Sequence, residues 1–172
     1  MTQDDIFFVA SILEAVARET DNRISDIAQQ IGRKNIRTMM ELANVSHCLP
    51  TVQVVTETIA DNHIQRGRYA PFDFTNDKQL PRPRAIGKVY ARLVADLEDD
   101  PEQYPDRLYD VLTSVFSEWV SDYSSATYYG SRDEVLYDYI TGALKKSEEE
   151  FDETLKAAQK RREIIKANRI NE

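Results

Sequence analysis

Between Asp106 and Tyr123 the residues Leu108, Val111, Leu112, Val115, Phe116, Trp119, Val120 and Tyr123 recur at i, i+3, i+4, i+7, i+8, i+11, i+12 and i+15. That is the repeat of one face of an α-helix. The spacing predicts a single helix over 106–123, with Asp110, Ser114, Ser117 and Ser121 turned to the other side. A strand would alternate every second residue, so this stripe is incompatible with a sheet and has to be covered by other helices.

The flanking segments are patterned to supply them. Thr2 and Asp5 form a capping box, and Ile6, Val9, Ala10, Leu13, Val16 and Ala17 follow at helical spacing, which predicts a helix from about Gln3 to Glu19. Ile24, Ile27, Ala28 and Ile31 give a short second helix that Gly32 ends. Ile36, Met39, Met40, Leu42 and Ala43 give a third, from Asn35 to Cys48, closed by Pro50. Thr51 to Arg66 is β-branched enough for a strand, yet Val52, Val55, Ile59 and His63 share one helical face, and a lone strand has no partner. Helix is therefore the expectation there. Ala85 to Leu97 is amphipathic, with Gly87 marking close helix contact, and Pro101 and Pro105 stop one helix and start the next. Asp96, Glu98, Asp99, Asp100 and Glu102 read as a solvated acidic turn, because a calcium loop needs a glycine at its bend. Ser131 and Glu134 make a second capping box. Beyond it Leu144, Phe151, Ala158 and Ile165 recur every seven residues, with Leu155 between, the narrow seam of a long last helix that packs within the chain or between chains.

Only 5 Gly and 6 Pro punctuate 172 residues, which suits long helices with few turns. The expected fold class is all-α, a multi-helix bundle of about six to seven helices with a long C-terminal helix. Residues 1–66 read as an N-terminal helical unit, 67–84 as a basic loop or hinge pinned by Tyr69, Phe72 and Phe74, and 85–172 as a C-terminal helical unit with a projecting last helix.

Charge is segregated along the chain. Residues 1–66 carry 9 acids and 6 bases, 67–92 carry 2 and 6, and 93–172 carry 19 and 10, giving −3, +4 and −9. An acidic surface opposes unspecific binding to a polyanion, so nucleic acid is the second expectation and a protein partner the first. Two segments could still favour an anion. Ile24 to Gly32 followed by Arg33, Lys34, Asn35, Ile36 and Arg37 resembles the first helix and turn of a helix-turn-helix motif over residues 23–43, with Ala28 and Gly32 in place of its small residue and turn glycine. The resemblance implies DNA contact by Arg33, Lys34 and Arg37, with the C-terminal unit for dimerisation or sensing. The plainer alternative is a helical hairpin with a solvated basic end. Arg82 and Arg84, in the basic middle segment with Arg66, Arg68, Lys78, Lys88 and Arg92, could grip an anion or neutralise the acidic half of the same molecule.

No P-loop, dinucleotide, nucleophile-elbow or zincin motif occurs, so no catalytic residue, metal or cofactor is expected and the protein reads as non-enzymatic. His47 and Cys48 are adjacent and diverge on a helix, and the single Cys fits a reducing compartment. With no basic leader at Met1 and no apolar run of about 18 residues, a cytoplasmic protein without membrane contact is the expectation. One cluster suits recognition. Asp122, Tyr128, Tyr129, Asp133, Tyr137 and Asp138 combine rigid amphipathic rings with carboxylates, a surface for a basic protein partner. A regulatory, self-associating interaction protein that binds another protein through this surface or through the projecting helix is the leading functional expectation.

Overall fold

The computed structural model describes residues 1–69, 80–123, 127–143, 156, 159 and 160. Among these the chain is all-α, with eight α-helices and no strand. The seam of Leu144, Phe151, Leu155, Ala158 and Ile165, and with it the long last helix, lies outside the described residues, as do Phe72, Phe74 and Lys78.

The helix at the centre is α1 (Gln3–Glu19). Its capping box forms as the sequence predicts, with the Thr2 side chain accepting from the Asp5 amide and the Thr2 amide donating to Asp5. Every residue from Val9 to Leu13 is buried, so this helix is enclosed nearly all round. It lies along α5 (Pro83–Leu97), and Gly87 permits the approach. A Cβ there would stand 2.1 Å from Ser11 Oγ and 2.9 Å from the Phe7 carbonyl oxygen. Helices α2 (Ile24–Glu41), α3 (Ala43–Ser46) and α4 (Thr51–Asp61) complete the first half. Gly32 breaks α2 at φ +76, a backbone conformation that only glycine adopts without strain. The segment after α4 returns beside the end of α1, where the Gly67 and Tyr69 amides donate to the carbonyls of Thr20 and Asp21.

The stripe at 106–123 is the main correction to the sequence reading. It folds as two helices, α6 (Tyr104–Leu112) and α7 (Val115–Ser121), not one. The Thr113 and Ser114 hydroxyls donate to the Tyr109 and Val111 carbonyls, so side chains satisfy the end of α6, and Ser114 turns extended at ψ 164. The break shifts the facing. Ser117 and Ser121 are buried, whereas Val115 is exposed. Two smaller corrections follow the same logic. The third predicted helix ends at Leu42 and restarts as α3, and α4 buries Val54, Val55 and Thr58 while Val52, expected inward, is 77% exposed.

Helix α8 (Arg132–Asp138) starts on the predicted Ser131/Glu134 capping box and continues as a π turn over Tyr139–Ala143. Within 85–143, Phe116 packs edge-on to Tyr90 at 6.5 Å and to Tyr139 at 5.7 Å. Buried residues of 1–66 and of 85–143 form one continuous core. No helix among the described residues is long and apolar enough to cross a membrane.

Candidate functional site

Two buried ion pairs set the frame of the acidic side of the molecule. Glu14, on α1 beside Leu13, is 2% exposed. Arg18, one turn on, donates to it from Nε at 2.8 Å, and the Tyr123 hydroxyl donates to the same oxygen. The guanidinium also stacks 5.0 Å over the Tyr123 ring. Burial raises the Glu14 pKa, and Arg18 and Tyr123 only partly counter it. The network ties the end of α1 to the end of α7. A second pair holds α8 to α5, where Arg132 grips both oxygens of Asp96, which is 1% exposed and not part of the solvated turn the sequence suggested.

Above the first network opens a cleft of about 630 Å³ lined by Arg23, Tyr69, Glu118, Trp119, Asp122, Thr127 and Asp138. Its walls come from α7, α8 and the turn between them, with Arg23 and Tyr69 opposite. The π turn after α8 positions Trp119: a Cβ on Gly142 would stand 1.9 Å from the indole, so the ring lies directly against that backbone. Three carboxylates, Glu118, Asp122 and Asp138, and the Arg23 guanidinium are among the residues that line it. Arg23 reaches Glu118 at 3.7 Å and stacks 5.0 Å from the centre of the Tyr69 ring. The pKa of Asp138 is raised, first by burial and then by the charge of Glu134. Tyr69 donates its hydroxyl to the Ser121 carbonyl, and burial raises its pKa as well. A smaller pocket of about 210 Å³ adjoins at Arg23 and Tyr69 and reaches down to Glu14 and Tyr123.

Of the residues singled out in the sequence for recognition, Asp122 and Asp138 line the cleft. Tyr129 and Tyr137 are 73% and 51% exposed, Asp133 is exposed on α8, and Tyr128 lies in the 3-10 turn Thr127–Tyr129. Arg23, Tyr69, Glu118 and Trp119 were not anticipated. The predicted stripe placed Trp119 in the core; it is partly buried against that core and also lines the cleft.

The basic candidates lie elsewhere. Arg33 donates to Asp106 and Asp110 on α6 and stacks 4.4 Å from the centre of the Tyr109 ring. Arg37 donates to Asp106 and to the Glu102 carbonyl. Partial burial pushes the Asp106 pKa up, but the hydrogen bonds from Arg37 and Arg33 outweigh it and hold the carboxyl below its usual range. DNA contact by these arginines would require them to leave α6. Lys34 is exposed, Arg82 stands at the N-cap position of α5 without a side-chain capping hydrogen bond, and Arg84 lies 5.1 Å over the Phe7 ring. Cys48 Sγ sits 3.7 Å from His47 Nε2, and no cluster of His, Cys, Asp and Glu among the described residues could hold a metal ion.

Comparison with protein-family models, with curated proteins and with solved structures finds no match to this chain.

Proposed function

We propose that the cleft between α7 and α8 receives a Lys- or Arg-bearing segment of a protein partner, and that the chain is a non-enzymatic interaction protein acting as a regulator. The observation that carries this reading is the composition of one cavity. Glu118, Asp122 and Asp138 line it together with Trp119, whose ring can supply an apolar wall and a cation–π partner. Arg23, about half exposed, already reaches into this cleft from the rim, so the site accommodates a guanidinium and a partner's cation can compete for Glu118. Tyr129 and Tyr137 extend the surface beyond the cleft.

Electrostatic docking of this kind is salt-dependent and sensitive to protonation. An approaching cation lowers the raised pKa of Asp138, so binding strengthens as pH rises through the carboxylate range. The test is fluorescence anisotropy of a labelled Lys/Arg-rich peptide with interspersed apolar residues. Asp122→Asn with Asp138→Asn weakens binding by about tenfold or more, whereas Asp4→Asn with Glu19→Gln, which removes the same charge from exposed positions elsewhere, leaves it within about twofold. Equal losses in the two pairs would reduce the interaction to net charge and refute the proposal.

A further inference from the structure

On the opposite side of α1 the molecule carries a second surface that the acidic cleft does not explain. Of the seven large apolar side chains exposed among the described residues, four fall between the end of α2 and the start of α4: Leu42 at 53%, Val45 at 64%, Leu49 at 40% and Val52 at 77%. Such clustering is unlike scattered surface leucines and marks a contact region. Beside it a groove of about 400 Å³ runs between the second half of α2 and α4, with Phe8, Met39, Leu42 and Val54 giving its apolar lining. Its rim is acidic. Glu57 and Asp61 line it from α4, Glu41 lies at the end of α2, and no Lys or Arg occurs between Arg37 and Arg66.

We propose that this groove and the apolar corner beside it dock an amphipathic helix of a protein partner whose apolar face is flanked by Lys or Arg. Two helices already form the walls, and a third laid between them packs ridges into a groove that is otherwise open. The apolar face of the occupant covers Met39, Leu42 and Val54, and its basic flank meets Glu57 and Asp61. A second copy of this chain suits the surface poorly, because two-fold pairing of identical patches sets these carboxylates against each other without an intervening cation.

Cys48 makes the test local. It is the only cysteine, it is exposed, and it lies within the apolar corner, so an environment-sensitive dye attached there reports on this face and not on the acidic cleft. The full chain so labelled is titrated with a designed amphipathic peptide of about 16 residues, Leu on one face and Lys on the flanks, and with its Glu-flanked counterpart. The Lys-flanked peptide gives a saturable change, and the Glu-flanked one binds about tenfold or more weaker. Leu42→Ser with Val52→Ser, at positions too exposed to disturb the core, and separately Glu57→Lys with Asp61→Lys, each raise Kd by about tenfold. Asp122→Asn with Asp138→Asn leaves the dye response unchanged, which separates this site from the first. Three results would overturn the proposal: equal binding of both peptides, no response to the Lys-flanked peptide up to about 1 mM, or a dye response to protein concentration alone, which would assign the face to a second copy.

Discussion

Replacing Arg18 with Met probes the part of the structure that the sequence disclosed least. Met keeps much of the apolar stem and removes the guanidinium, leaving the 2%-exposed carboxylate of Glu14 with the Tyr123 hydroxyl as its remaining donor among the described residues. Stripping one partner from a buried pair costs about 3–5 kcal/mol. Here the low end applies, about 3 kcal/mol at neutral pH, because Arg18 is itself 22% exposed and Tyr123 still donates. The loss has a characteristic pH dependence. Burial already raises the folded-state pKa of Glu14 above its unfolded value. Its contribution is therefore fully favourable below the unfolded pKa and is lost as pH rises through the folded one. Removing Arg18 takes away an influence that lowers this pKa, so the folded value climbs further. The penalty is then largest at neutral pH and shrinks as pH falls to and below the unfolded carboxylate pKa of about 4.3, as protonation removes the buried charge. Urea unfolding followed by far-UV circular dichroism gives the difference in stability between variant and parent at each pH. Glu14→Gln abolishes the pH dependence of that difference. A loss that does not vary with pH, or one below about 0.5 kcal/mol at neutral pH, would refute the buried-pair reasoning.

Other perturbations follow from single contacts. Gly87→Ala drives a Cβ into the backbone of α1 and lowers stability by about 1–3 kcal/mol in the same unfolding assay, while Lys88→Ala next to it on the exposed side changes little. Gly32→Ala meets no atom within 4 Å, so its loss of about 1–3 kcal/mol comes from the φ of +76 alone, and a D-Ala at the same position in a semisynthetic chain restores stability. Arg33→Ala with Arg37→Ala removes a half-exposed network on α6 and costs about 1 kcal/mol, less at high salt, read as a shift in denaturation midpoint. Salt-sensitive retention on DNA that this pair of changes eliminates, with the fold intact, would instead support the helix-turn-helix resemblance.

The helical class, both capping boxes and the start of α1 were legible in the sequence because each rests on local chemistry: a hydroxyl, an acid three residues on, and a 3.6-residue repeat. The break between α6 and α7 was not. Periodicity runs unbroken through Thr113 and Ser114, and the hydroxyls that end α6 are acceptable in a helix until tertiary packing selects the alternative. The same limit hid Glu14. Its i,i+4 spacing to Arg18 was visible, but an acid beside Leu13 reads as a flank residue until Tyr123 arrives from 109 positions away. Asp96 was obscured in the same way, since its partner Arg132 is 36 residues distant in a segment with its own capping role. Asp122 and Asp138 could be picked from composition, whereas Arg23, Tyr69 and Glu118, which turn a tyrosine-rich acidic stretch into a cavity, come from three separate regions of the chain.

Trp119 offers the most direct measurement. It is the only tryptophan, and it lines the proposed docking cleft. Titrating the full chain with a Trp-free Lys/Arg-rich peptide and recording indole emission should give a saturable shift whose midpoint agrees with anisotropy and moves with Asp122→Asn and Asp138→Asn. A peptide that binds by anisotropy while Trp119 emission stays constant would place the interaction elsewhere and contradict the assignment of this cleft.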